Sequence, residues 1–206
     1  MELVNTILTG ITTYCSGHYQ ELEEKYCWCC KKSRPNKGPL YHTPATTIVP
    51  NLSNPKDVKK LIKEKIKIDL SESAEQKGEN VFTVYAPAIF QKLCNVFGVT
   101  SEIIMTALDP KNNEDNMRKA GESKGRSGSF MFFSQNKNFI IKTMNSAELG
   151  VFMDILPKYQ AHVRKYKTRS LLGKILGVYS VKLAGVDTVH LLMMENTLHW
   201  INSGVR

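Results

Sequence analysis

Apolar residues recur at helical spacing from the first turn of the chain: Leu3, Val4, Ile7, Leu8 and Ile11 predict an amphipathic or membrane-edge helix over residues 1–14. The run is too short to span a bilayer. Glu2, with no basic residue before the apolar stretch, also makes it a poor signal peptide. Five prolines from Pro35 to Pro55, among Ser, Thr and Asn, read as a linker. Val58, Leu61, Ile62, Ile66 and Leu70 then form a stripe with Lys56, Lys59, Lys60, Lys63, Lys65 and Lys67 around it. That spacing predicts a single basic amphipathic helix from Pro55 to Leu70, followed by a polar loop over residues 71–80.

Pro87 suits the first turn of a helix running through Ile89, Phe90, Leu93, Cys94 and Phe97, with Gly98 as its stop. Ser101 is a good cap for a second short helix ending at Leu108. Asp109 to Lys124 is polar and reads as an exposed excursion. Phe130-Met131-Phe132-Phe133 and Phe139-Ile140-Ile141 predict two strands around a polar turn, residues 134–138. Asn145 with Glu148 three positions on has capping-box spacing, and Leu149, Phe152, Met153 and Leu156 continue the buried face until Pro157, which should kink or stop the helix. Leu171 to Lys182 and Val186 to Met194 read as strands, with Ala184-Gly185 near the turn.

The candidate chemistry sits around the first of these hairpins. Gly125, Ser127, Gly128 and Ser129 are small enough for a backbone to approach a ligand closely, and their N–H groups and hydroxyls suit phosphate oxygens. Lys142 closes the returning strand as its only charge. A small-residue loop backed by one lysine is how kinase N-lobes hold nucleotide phosphates. The plain alternative is an ordinary hairpin with a solvated lysine, and Arg126 in the loop reads as solvated.

Gly125-Arg126-Ser127-Gly128-Ser129-Phe130 with Phe139-Ile140-Ile141-Lys142-Thr143 downstream resembles the phosphatidylinositol phosphate kinases; the three glycines of protein kinases are not there. The resemblance continues through Ile155-Leu156-Pro157-Lys158-Tyr159, Ser170 to Tyr179 and Leu192-Met193-Met194-Glu195-Asn196. Upstream it takes in Phe82 to Phe90 and Val96 to Val99, so it covers roughly Phe82 to Asn196. It implies an α+β fold, an antiparallel sheet with helices packed on one face, forming the N-lobe of a lipid-kinase-like fold. It also implies ATP-dependent phosphorylation of an inositol-ring hydroxyl. Lys142 and Glu148 become a catalytic pair, Gly125, Ser127, Gly128 and Ser129 the ATP phosphate contacts, and Met194, Glu195 and Asn196 the hinge beside the adenine. Met194 before a charged Glu195 departs from the family's usual neutral pair, and Thr197, His199 and Trp200 are unexpected there.

The chain stops at Arg206, just past that hinge, so a catalytic aspartate and the Mg2+ ligands are expected outside it. On this reading residues 1–80 are a basic arm and linker, and residues 81–206 a partial catalytic domain. The alternative is a non-catalytic lipid-binding or dimerising remnant of the fold, a homodimer being one outcome. The net charge is +9, from 28 basic and 19 acidic residues, which favours acidic partners. No RNA-binding signature or zinc-finger spacing supports nucleic acid. A phosphoinositide lipid at an anionic membrane surface fits the same charge, placing the protein in the cytoplasm, peripheral at a membrane's cytosolic face. Five cysteines form no disulfide framework, and Cys94 reads as inert core. Cys27-Trp28-Cys29-Cys30-Lys31-Lys32 has the composition of a membrane interface or of an unstructured basic arm, not of a zinc site.

Overall fold

A computed structural model describes residues 2–18, 52–71, 80–120 and 130–198. Six antiparallel strands form one sheet, ordered β1-β2-β5-β6-β4-β3: β1 (Lys65–Asp69), β2 (Val81–Tyr85), β3 (Met131–Phe133), β4 (Phe139–Met144), β5 (Ile175–Lys182) and β6 (Val189–Glu195). The helices are α1 (Glu2–Thr13), α2 (Pro55–Lys63), α3 (Pro87–Phe97), α4 (Ser101–Leu108), α5 (Glu114–Ala120) and α6 (Ser146–Tyr166). The α+β class expected from the sequence is the one observed. Helices on one face only is too simple, however. Leu176 through Val181 on β5 are buried without alternation, so this central strand is covered on both sides.

α1 is core and not a membrane edge. Val4, Ile7, Leu8 and Ile11 are buried, and Gly10 lies directly against the Phe82 ring of β2, where a Cβ would stand 2.3 Å from a ring carbon. The stripe read as one helix up to Leu70 divides at Glu64. α2 ends at Lys63, and Lys-Ile-Lys-Ile-Asp over Lys65–Asp69 alternates as an edge strand, Ile68 turned to the core and the lysines outward. A domain division at residue 80 would fall between β1 and β2, which pair along their whole length; α1, α2 and β1 share one core with the rest.

α3 has the expected bounds, with Pro87 in its first turn and Gly98 at φ +71° as its left-handed stop. The cap of α4 is Thr100, whose hydroxyl accepts from the Ile103 N–H, and not Ser101. The stretch expected to be an exposed excursion instead carries a 3-10 turn (Lys111–Asn113) and α5, with Asn113 completely buried. Asn145 and Glu148 form the predicted capping box. Pro157 does not stop α6. Its missing bond costs about 3 kcal/mol, and burial of Tyr159 and Val163 in the next turns contributes about as much in return. β5 and β6 start later than predicted, leaving Leu171, Leu172 and Val186 exposed.

Candidate nucleotide site

Lys142 sits in β4, opposite Met131 of β3 on one side and Leu192 of β6 on the other. The alternation of β4 places Ile140, Lys142 and Met144 on one sheet face, and register adds Met131, Phe133, Leu192 and Met194 to it. Lys142 is half-buried and makes no hydrogen bond or ion pair among the described residues. Beside it lies an apolar floor of Met131, Phe133, Ile140 and Met194, with Met131 and Phe133 still 36% and 43% exposed. A flat apolar group can lie on that floor while an anion reaches the ammonium.

Gly125, Ser127, Gly128 and Ser129, with Arg126, lie outside the described residues. The chain is described again from Phe130, whose N–H donates to Thr143 Oγ1 (2.9 Å) and whose carbonyl accepts from the Thr143 N–H (3.0 Å). The end of that loop is therefore pinned to the residue next to Lys142. Thr143 is a contributor that sequence reasoning missed.

Glu148 and Lys142 are not brought together. The Glu148 carboxylate accepts from the Asn145 N–H (2.8 Å) and caps α6, so it is engaged locally and exposed. At the expected hinge, two backbone N–H groups are engaged within the protein. The Glu195 N–H donates to the Lys174 carbonyl (2.9 Å) and the Asn196 N–H to the Asn138 carbonyl (2.7 Å). The Glu195 carboxylate lies 2.6 Å from Lys174 Nζ. The buried Asn196 side chain donates to the Lys137 carbonyl (2.8 Å). Of the three residues, Met194 shares the sheet face of Lys142 by register.

Asn196 grips the β3–β4 turn from one side and Asn113 grips it from the other. Asn113 Nδ2 donates to the Ala107 and Asp109 carbonyls (3.0 and 2.8 Å), and its Oδ1 accepts from the Gln135 N–H (2.7 Å). A single asparagine in a polar stretch carries no sequence signal for such a role. Cys94 is inert core as expected: its thiol donates to the Leu176 carbonyl (3.4 Å), and burial pushes its pKa up to about 12. Cys15 is likewise buried, with its pKa pushed up to about 12.

An open antiparallel sheet with a lysine strand between a loop-bearing hairpin and the last strand, flanked by a capped helix, is a kinase-type N-lobe. Residues 112–203 match the family model described as phosphatidylinositol-4-phosphate 5-kinase. The chain is 34% identical over 112 residues to phosphatidylinositol 4-phosphate 5-kinase 3 of Arabidopsis thaliana, covering 54% of this chain and 15% of that protein. It is 33% identical over 125 residues to a probable phosphatidylinositol phosphate kinase of Dictyostelium discoideum (60% of this chain, 17% of the relative). It is also 33% identical over 109 residues to a phosphatidylinositol 4-phosphate 5-kinase of Plasmodium falciparum (50% and 6%). Over about half of its length the chain is thus similar to phosphatidylinositol phosphate kinases, and it spans about a sixth or less of the length of these relatives.

Proposed function

We propose that this chain supplies the nucleotide-binding lobe of a phosphatidylinositol phosphate kinase, which transfers the ATP γ-phosphate to a hydroxyl of the inositol ring. The observation that carries this reading is the placement of Lys142, half-buried on a central strand beside an apolar floor, without an ion pair among the described residues. In the reaction the oxygen of an inositol hydroxyl bonds to the γ-phosphorus as the bond to the β,γ-bridging oxygen breaks, and the hydroxyl proton leaves to a base. Lys142 neutralises phosphate oxygens, and Gly125, Ser127, Gly128 and Ser129 close over them through backbone N–H groups. Met194 and Ile140 form the surface against which the adenine lies. Glu148 would have to leave its cap to hold Lys142, at the cost of about 1 kcal/mol of capping.

No group of three or more His, Cys, Asp or Glu side chains that could hold a metal ion occurs among the described residues. The Mg2+ that accompanies ATP is therefore assigned ligands outside them, and no step here is routed through it. No helix among the described residues is long and apolar enough to cross a membrane. The exposed Lys56, Lys59, Lys60 and Lys63 of α2 favour an anionic membrane surface, with peripheral attachment at the cytosolic face.

The test is affinity labelling with an adenosine sulfonyl fluoride, a lysine-reactive ATP analogue, read by mass spectrometry. Lys142 should be the principal modified residue, ATP should protect it, and Lys142→Met should remove the signal without changing the unfolding temperature. Labelling spread over exposed lysines and indifferent to ATP would leave the non-catalytic lipid-binding or dimerising alternative standing.

A further inference from the structure

The same sheet face carries a second cluster of cations at its other end, which the kinase reading does not use. Register places Lys65 and Lys67 of β1, Thr83 and Tyr85 of β2, Ser180 and Lys182 of β5, and His190 of β6 on this face. Side-chain contacts bear out the register. Lys65 Nζ lies 4.7 Å from the Tyr85 ring centroid, Ser180 Oγ donates to Tyr85 Oη (2.9 Å), and Ser180 Oγ lies 2.7 Å from His190 Nδ1. Ser146 Oγ, in the first turn of α6, lies 3.2 Å from His190 Nε2 and ends the chain of contacts. We propose that this β1–β2–β5 region is an anion site that takes a compact, soluble ligand carrying two or more phosphate groups.

Three observations favour it. First, Lys65, Lys67 and Lys182 are exposed and form no ion pair among the described residues. Among the described residues, the one carboxylate on this part of the face is Asp69, at its corner, with Oδ1 accepting from the Ser71 N–H (3.0 Å). Second, Tyr85 accepts from Ser180, which leaves the phenol's own proton to donate to a ligand oxygen. Third, the spacing suits more than one phosphate. Ordinary strand geometry puts the Lys65 and Lys67 Cα atoms about 7 Å apart and those of Lys67 and Lys182 roughly 12 Å apart, so flexible ammonium groups can bracket a small polyanion. Burial first, and the Lys65 charge second, hold His190 below the ordinary histidine pKa.

The site is separate from Lys142. The row that begins with Lys65 and Tyr85 passes through the buried Val178 and Leu192 before it reaches Lys142, about 19 Å away along the sheet. Among the described residues, none of the exposed large apolar side chains lies on these strands, which favours a soluble ligand.

Inositol hexakisphosphate is the probe, titrated calorimetrically into the full chain at 0.15 M salt, roughly the physiological ionic strength. Saturable one-to-one binding is expected. Lys65→Gln with Lys67→Gln and Lys182→Gln should weaken it at least about tenfold, through three lost charge-assisted contacts. The control, Lys56→Gln with Lys59→Gln and Lys60→Gln on α2, removes the same charge and should cost less than about threefold. Lys142→Met should leave binding unchanged, which keeps this result independent of the nucleotide reading. Lys67→Gln alone, at an exposed edge position, should still weaken binding measurably if the triple variant folds poorly. Equal losses in the two triple variants, absence of saturation, or binding only to vesicles containing phosphatidylinositol 4,5-bisphosphate would overturn the proposal.

Discussion

Alanine at position 10 and alanine at position 150 make the same chemical change in two helices and should act in opposite directions. At Gly10 in α1 the new Cβ would lie 2.3, 2.5 and 2.8 Å from Cδ2, Cγ and Cε2 of Phe82, where ordinary contact begins at 3.4 Å. Phe82 cannot retreat easily. It is fully buried and stacked on Tyr179 with ring centroids 5.3 Å apart. Overpacking of this kind costs about 1–3 kcal/mol, and an overlap near 1 Å against a fixed ring belongs at the upper end. Alanine's better helix propensity returns about 1 kcal/mol. The net loss is about 1–2 kcal/mol, or roughly 2–8 °C in Tm for a domain of this size. At Gly150 in α6 nothing lies within 4 Å of the added carbon. Only the propensity gain remains there, and Tm should rise by about 1–4 °C. Urea melts followed by circular dichroism, with m-values compared to confirm one cooperative transition, give both signs. If Gly10→Ala stabilises as Gly150→Ala does, α1 is not docked on the sheet, and its apolar stripe has another destination.

Asn113→Ala should destabilise by about 2–4 kcal/mol, because it strands the Gln135 N–H and removes the two bonds that the buried amide donates to the Ala107 and Asp109 carbonyls; thermal unfolding measures it. Lys174→Met leaves the largely buried Glu195 carboxylate without its cation and should cost about 1–3 kcal/mol, most of it recovered by adding Glu195→Gln. Cys15 and Cys94 should resist iodoacetamide until the protein unfolds, as peptide mapping would show. Both thiols have folded pKa values pushed up to about 12 from an ordinary 9.0, so the unfolded state loses protons first. Stability is therefore unaffected below about pH 9 and falls above it, by up to about 1.4 kcal/mol per pH unit for each thiol, and Cys94→Val should make the decline shallower.

Which features the sequence disclosed follows from how each pattern maps onto structure. The β3–β4 hairpin, Lys142 on its return strand and the Asn145–Glu148 cap were legible because each depends on residues within a few positions of one another. β1 was not. Ile62, Ile66 and Leu70 satisfy a helical period while Lys65 to Asp69 satisfies a period of two, and only pairing with β2 decides between them. α1 was read correctly as amphipathic, but an apolar stripe is the same whether it meets lipid or Phe82. The engaged N–H groups of Glu195 and Asn196 depend on Lys174 and Asn138, one of them more than fifty positions away in the chain, and no local pattern announces that. Pro157 was overruled by burial on both sides of it.

The strand order has a consequence for synthesis on the ribosome. Among the described residues, β1 pairs only with β2 and β3 only with β4, and β2 and β4 do not meet. What joins the two ribbons is the β5–β6 hairpin, the last of the described strands to be made. A nascent chain that has emerged only as far as Arg169 holds two separate two-stranded ribbons, each marginal alone in water. Their apolar faces, including Phe82 and Ile141, have no completed sheet to join until Glu195 is available. Folding of this sheet is thus deferred to the end of the segment, and the interval before it is when the chain is most exposed to aggregation and most dependent on chaperones.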